Sequence, residues 1–299
     1  MRVSDNQRYR ISQDRVNHAK KGNEHMMEKI STQRRINRVS DDPVGLGRVI
    51  KYRSNISDMA QFQKNVEFTK GFIERSEASL QGINDYLMRA KELSVSLAND
   101  TYGPDSRIAA SREVEQIVDG IISLANSQYG NRYVFGGFRT QTPPLGKDGN
   151  YLGDDGAIFL QTDQGAFEQI NLQARGLFEA GPDARNKGHF GMIQTLDILK
   201  DGLQSSDKTK IRKAMDELDH QLEKSTDFMA KLGSIHNGVE GTLRRLEISS
   251  EITTGEVSKI EDADTFKTIS DFKKTEDILQ STLMASNKLI QPSLLNFMQ

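Results

Sequence analysis

No cysteine occurs anywhere in the chain, which excludes disulfides, thiolate metal sites and cysteine nucleophiles together. No stretch approaches the roughly 20 apolar residues a membrane span requires. The opening MRVSDNQRYRISQDRVNHAKKG holds no apolar run of the kind a cleavable secretory signal needs. A soluble chain is expected, one that leaves the cell, if it does, without a Sec-type signal. An excess of one charge is also missing. The 40 Lys+Arg stand against 42 Asp+Glu, net −2, whereas dedicated nucleic-acid binders carry a strong basic excess. Neither a membrane nor a nucleic acid is expected as a partner.

Proline is scarce, and its six positions punctuate the chain: Pro43, Pro104, Pro143, Pro144, Pro182 and Pro292. Proline breaks a helix interior by removing a donor and crowding the preceding turn. Two long windows, Val44 to Gly103 and Asp183 to Gln291, are free of it, and both carry helical periodicity. In the first, Tyr52, Met59, Val66, Ile73, Leu80 and Leu87 repeat every seven residues beside Phe62, Thr69, Ser76, Ile83, Ala90 and Leu97, the offset of coiled-coil core positions. One helix from about Val44 to Leu97 follows, on the order of 80 Å long at 1.5 Å per residue. Pro43 fits its first position, with Asp42 as cap and Asp41 beside it. Gly71 and Gly82 weaken it and allow a local bend.

A turn at 99–104 ends this helix. Val114, Ile117, Val118, Ile121, Leu124 and Ala125 then mark a second one returning alongside. Met59, Val66, Ile73, Leu80, Ile83, Leu87, Ile117, Ile121 and Leu124 are the expected rod core. Residues 130 to 190 are glycine-dense, and YLGDDGAIFLQTD, FEQINLQ and GLFEA read as short strands. Helical spacing resumes with Ile211, Met215, Leu218 and Leu222, then Leu232, Ile235, Val239, Leu243 and Leu246.

The expected fold is therefore mainly α, an elongated bundle of long antiparallel helices with a terminal coiled coil, a central helical domain and a small β-rich insertion. Its parts are an N-terminal assembly helix over 1–42, a helical hairpin over 43–138 and the insertion over 139–200. A returning helix over 201–255 and a C-terminal assembly helix over 256–299 complete it. Hydrophobic residues at 35% and charged residues at 27% give a mix more polar than a globular average, consistent with much surface per residue.

The two ends carry thin apolar stripes. Val16, Ala19, Met26 and Ile30 mark the first; Ile269, Phe272, Leu279, Leu283, Leu289 and Ile290 mark the last. A helix as polar as the first 35 residues gains too little from its own face to hold in water. It needs a partner, either the chain's own C-terminal helix or a neighbouring subunit, and pairing is expected only on assembly. Residues 1 to 60 hold 13 Lys+Arg and 7 Asp+Glu, so a basic end faces an acidic remainder, as two solvated helix faces or as mutually attracting parts.

Site chemistry is sparse. His18 and His25 could share a helix face with Glu28, yet two turns separate the imidazoles by about 10 Å, too far for one zinc. His189, His220 and His236 are isolated. Asp148-Gly149-Asn150 and Asp154-Asp155-Gly156 lack the ligand spacing of a calcium loop and suit turns. Gly136-Gly137 lacks the lysine and hydroxyl residue of a phosphate loop. Arg34, Arg35 and Arg38 cluster without aromatics, which suits pairing with Asp41, Asp42 or a partner's carboxylates. No catalytic, cofactor or metal residue is assigned, and no enzyme activity is expected.

Three stretches together resemble the flagellin superfamily. ISTQRRINRVSDDPVGLGRVIKYRSNI is similar to its N-terminal motif through Ser31-Thr32, Arg35-Ile36 and Asp41-Asp42-Pro43, with Gln33 where the family pattern has glycine. LSVSLANDTYGPDSRIAASREVEQI resembles its helix-turn-helix. FMAKLGSIHNGVEGTLRRLE and IEDADTFKTISDF resemble its C-terminal half through Leu232-Gly233, Asn237 and Asp262-Ala263-Asp264. The similarity covers roughly 1–145 and 205–299. Within the superfamily, LANSQYGNRYVFGGFRTQTPPL, the terminal SLLNFM and the MRVS start are more similar to the hook-filament junction family, hook-associated protein 3, than to flagellin.

That resemblance implies flagellar type III export with an uncleaved N-terminus and a secreted, extracellular structural role at the hook-filament junction. The implied partners are copies of the chain itself in a ring-like oligomer, the first hook-associated protein, flagellin and a cytoplasmic export chaperone. The implied assembly interface is Val16, Met26, Ile30, Arg35, Ile36, Asp41, Asp42, Pro43, Ile269, Phe272, Leu279, Leu283, Leu289, Ile290, Leu294 and Leu295. A flagellin forming the filament itself is the neighbouring alternative, and the heptads alone also allow a cytoplasmic coiled-coil scaffold.

Overall fold

The structure, a computed structural model, describes residues 2–98, 103–181 and 188–290. Its helices are α1 Arg2–Thr32, α2 Pro43–Leu97, α3 Pro104–Ala125, the short α4 Arg175–Phe178, α5 Met192–Gln204, α6 Lys208–Glu261 and α7 Thr265–Ile290. Strands β1 Gln128–Tyr129 and β2 Arg132–Tyr133 form one antiparallel pair, and β3 Phe159–Asp163 and β4 Ala166–Gln169 another. Of the described residues 73% are helical, in a bundle of long helices with a small β insertion, as the periodicity predicts. It divides into two compact units, residues 1–58 with 249–299, and residues 59–248.

The start of α2 follows from three adjacent residues. Pro43 occupies the first helical position, and Asp42 Oδ1 accepts the Gly45 amide at 2.8 Å, satisfying one of the orphan donors of the first turn. Gly45 is required there, because a Cβ would run into the Asp42 carboxylate and the Ile36 side chain.

In the second unit both heptad rows of α2 turn inward. Val66, Thr69, Ile73, Ser76, Leu80, Ile83, Leu87, Ala90 and Leu97 are all buried, while Met59 and Phe62 pack at the edge of the same core. Val114, Ile117, Ile121 and Ala125 of α3 and Leu196, Leu199, Leu203, Ile211, Leu218, Leu232 and Leu246 of α5 and α6 complete it, with Leu124 half-buried. The glycines of α2 mark close approach and leave the helix unbroken: the Tyr129 ring occupies the space beside Gly71, and the Leu124 side chain that beside Gly82. An ion pair and a hydrogen bond tie the helices across their rims, Arg89 to Glu113 at 2.7 Å and His236 to Glu77 at 3.1 Å. The turn expected at 99–104 falls largely on residues 99–102, outside the described residues.

The insertion has fewer strands than the sequence suggests. Over 151–158 the backbone is bonded by side chains: Asp154 Oδ1 accepts the amides of Phe138 and Gly156, and Asn171 bonds both Ile158 and Gly156. Side-chain partners replace the ladder that a strand needs. The segment GLFEA, read as a strand, holds the helical turn α4. Adjacent Leu177 and Phe178 are both buried, which an alternating strand does not allow and a turn does. Gly137 adopts φ +67°, where a Cβ would strike Asp154. This lets the Val134-Phe135-Gly136-Gly137 segment fold tightly. Phe135 and Tyr151 then pack against Phe178, and the Tyr151 hydroxyl donates to the Phe135 carbonyl at 2.7 Å. Burial pushes the pKa of that hydroxyl well above its ordinary value, so it stays protonated and a donor. The β3–β4 hairpin is pinned to the helices, Asn65 of α2 donating to the Gln161 carbonyl at 2.8 Å and Thr242 of α6 bonding Glu168 at 3.0 Å.

Candidate assembly surface

The first unit is built from α1, α7 and the neighbouring ends of α2 and α6. α1 packs along α7, so here the N-terminal helix takes the chain's own C-terminal helix as partner, one of the two partners the sequence allows. The contact is long, but its apolar side chains, Val16, Met26, Ile30, Phe272 and Leu279 among them, are only half-buried. Toward the end of α7 the buried Ser12 hydroxyl shares a hydrogen bond with that of Ser286 at 2.5 Å. Beside it a cleft of about 600 Å³ opens between the helices, lined by Arg8, Ile11, Arg15, Ile278, Thr282 and Ala285 among others.

Among the described residues of this unit, only Ile36 and Val49 are buried apolar side chains. Tyr9, Ile11, Met27, Ile252, Ile269, Ile278 and Leu283 are exposed, Met284 is 66% exposed and Phe266 89%. Covering one such side chain is worth roughly 1.5–3 kcal/mol, so a partner laid over several gains on the order of 10 kcal/mol before ordering costs.

The loop between α1 and α2 is held by charge. Gln33 ends α1 at φ +57°, the left-handed conformation glycine adopts freely, at the position where the family pattern has glycine. Its carbonyl accepts the Ala263 amide at 3.0 Å, and the Arg35 amide donates to the Glu261 carbonyl at 2.7 Å. The Glu261 side chain is buried, and its carboxylate meets Arg53 Nη2 at 2.7 and 2.8 Å and Arg34 Nε at 3.2 Å. Arg35 reaches both the Ile260 carbonyl at 2.8 Å and Asp42 at 3.1 Å, and Arg38 pairs with Glu28 at 2.8 Å. Asp41 accepts the amides of Asn37 and Arg38 at 3.0 and 2.9 Å. Burial alone would raise the Asp41 carboxyl, but these amides, with His25 and Lys29 nearby, hold it below the usual carboxylate range. The Gly45 amide and the Arg35 guanidinium do the same for Asp42.

The residues assigned to assembly by the sequence distribute as follows. Val16, Met26, Ile30, Asp41, Asp42, Phe272 and Leu279 are half-buried; Arg35, Pro43, Ile269 and Leu283 are exposed; Ile36 is buried. Leu289 and Ile290 lie in α7 with side chains outside the described ones, and Leu294 and Leu295 lie outside the described residues. The structure brings Arg35, Asp41 and Asp42 into one cluster with Ile36 beneath. Sequence reading missed Glu261 and Arg53 as members. Their separation of 208 residues defeats any periodicity, although the Glu-Asp-Ala-Asp run after a long helix signals a turn.

No group of three or more His, Asp or Glu side chains suited to a metal occurs among the described residues. His18 and His25 sit on α1, and His25 faces Asp41 at 3.5 Å. His189 pairs with Glu217 at 3.0 Å and its ring stacks on His220. No described helix is long and apolar enough to cross a membrane.

A bundle of long helices with large apolar side chains in solvent on its terminal helices, and without a metal cluster among the described residues, has the make-up of a structural protein. This chain belongs to the bacterial flagellin family. The family's N-terminal helical region matches residues 3–140, and its C-terminal helical region matches residues 215–298. The chain is 29% identical over 257 residues to a 33 kDa flagellar filament core protein of Treponema phagedenis, covering 85% of this chain and 84% of that one. It is 26% identical over 277 residues to flagellar hook-associated protein 3 of Escherichia coli, covering 86% and 87%. In fold it is similar to FlgL of Bacillus cereus, with a TM-score of 0.60 and 22% identity over 70% of this chain and 99% of that one.

Proposed function

We propose that this flagellar structural protein is the adaptor that joins the hook, through the first hook-associated protein, to the flagellin filament. It works without catalysis. The observation that carries the reading is the terminal helix pair with its aliphatic and aromatic side chains in solvent, a surface that is covered once copies and neighbours stack around it. The tight Phe135-Gly136-Gly137 turn and its aromatic packing favour the junction branch, whose sequences this segment resembles, and the likeness in fold to FlgL agrees with that choice. Its partners on this reading are further copies in a ring, the first hook-associated protein, flagellin, and an export chaperone before secretion. The site of action is the extracellular flagellum at the hook-filament junction.

The 29% identity to a filament core protein favours a second reading, in which the chain forms the filament itself. Purified protein added to filament fragments separates the two. A junction piece adds a short cap and stops; growth of long homopolymers establishes the filament reading. Electron microscopy of labelled flagella gives the matching result in place, label at one band or along the whole filament.

A further inference from the structure

We infer that Phe138 and Leu152 of the insertion seat in the groove between α2 and α6 of a second copy of this chain, so that copies join head to tail. The inference deepens the reading of the chain as an assembling flagellar protein and rests on it. The groove is apolar at its floor. Met88 and Val95, both exposed, stand one heptad apart on α2 and line it with Leu222 of α6. Its volume is about 540 Å³, room for a phenyl ring and a neighbouring leucine, and Ser96 lines the same wall. Phe138 is a ring held ready for such a seat. It is 66% exposed, yet one side of it covers Gly156, where a Cβ would strike the ring, and its amide donates to Asp154 Oδ1 at 2.6 Å. A side chain already fixed in place loses little freedom on docking. Leu152 is exposed and tied to the same segment by Arg139, whose guanidinium donates to the Leu152 carbonyl at 3.2 Å.

Charge selects this pair of surfaces. Arg132 and Arg139 are exposed on the segment that carries Phe138. At the groove, Arg89 and Lys91 are already met by Glu92, Glu113 and Asp219, and Glu223 adds a carboxylate that is 77% exposed, with His220 at 3.8 Å. The other exposed rings of the insertion, Phe159 and Phe167, lie on the β3–β4 hairpin, which holds Asp163 and Glu168 and no Lys or Arg over 159–169, so that face meets the groove with like charge. Distance makes the occupant a second copy. The β1–β2 hairpin that leads to Phe138 packs at Gly71 through Tyr129, whereas the groove lies at residues 88–96, on the order of 30 Å further along α2 at 1.5 Å per residue. One chain cannot close that gap on itself. Two different surfaces of one body give a heterologous contact, which repeats into a ring or a helix.

Cross-linking of the full-length chain tests it, and the lack of native cysteine leaves introduced thiols as the only ones. Ser96→Cys lines the groove, and Leu152→Cys sits on the docking segment while Phe138 stays in place. Assembled together under mild oxidation, the two variants should give mixed disulfide dimers at least tenfold more abundant than either variant gives alone. Phe138→Ser should raise the concentration needed for assembly at least tenfold, and Glu223→Lys should raise it too, while Phe167→Ser changes it less than twofold. Urea midpoints of the unassembled chains show that each variant folds, and the cross-link decides where one does not. Assembled chains without the mixed dimer overturn the contact and leave the adaptor reading standing. So do equal effects of Phe138→Ser and Phe167→Ser. So does a Phe138→Ser chain that self-assembles normally and fails only to join added filament fragments, since that gives the face to a different subunit. A wild-type chain that never assembles removes both readings.

Discussion

The ring of Tyr129 lies where a side chain on Gly71 would have to be, in contact with the α2 backbone and edge-on to Phe68 and Phe72. Glycine costs a helix interior about 1 kcal/mol relative to alanine, so α2 accepts that cost to seat the ring. Gly71→Ala should therefore destabilise the protein, by about 1–3 kcal/mol, despite its better helix propensity. Gly82→Ala meets only the flexible tip of Leu124 and should come out near neutral. Urea denaturation of both variants checks the contrast.

Leu80 is fully buried at the middle of the α2 heptads. Truncation to alanine should cost about 2–5 kcal/mol. Leu80→Asp places a charge in the same seam and should abolish folding and assembly together. Wild-type assembly by the aspartate variant would mean that the heptad register is wrong.

Gln33 holds a left-handed backbone conformation that costs an L-residue roughly 1–2 kcal/mol, part of which glycine recovers and part of which it loses to unfolded-chain entropy. Gln33→Gly should stabilise the first unit by up to about 1 kcal/mol. Slower hydrogen exchange at the end of α1 is the expected sign, and faster exchange there would contradict it.

Asp41 and Asp42 both ionise more readily in the fold than free carboxyls do. A lowered value means stability that is fully present above the ordinary carboxylate value of 3.8 and lost as pH falls through the folded values. The loop 33–42 should loosen on acidification below about pH 4, and Asp41→Asn should flatten that response. Amide exchange of residues 37–45 followed from pH 6 downward reads it; a response unchanged by Asp41→Asn would place the titration elsewhere.

Met284 and Phe266 are exposed and touch no core. Replacing both by serine should leave monomer stability within about 0.5 kcal/mol and sharply reduce assembly. Denaturation midpoints paired with sedimentation of the assembled form separate the two effects.

The long helices were readable because each repeats one short rule. The heptad rows from Val66 to Leu97 declare a buried face, and Asp42-Pro43 declares a start, since capping and packing there depend on residues within a turn or two. The insertion was less legible. Asn171 and Asp154 bond backbone amides at 13 and 16 residues' remove, and Leu177-Phe178 become buried together only because Phe135 and Tyr151 arrive to cover them. The candidate site was legible in halves. The thin apolar stripes of the ends and the Arg35, Asp41, Asp42 motif could be read locally, whereas Glu261 and the Ser12–Ser286 contact join distant parts of the chain and leave no local trace.

That meeting of two hydroxyls has a consequence of its own. Fully buried knobs seated in matching holes must be pulled out together before two helices part, but the half-buried side chains and the serine contact of this pair can be traded for cover offered by another chain. The terminal pair is thus an exchangeable fitting, cheap to undo beside a neighbour that offers better cover.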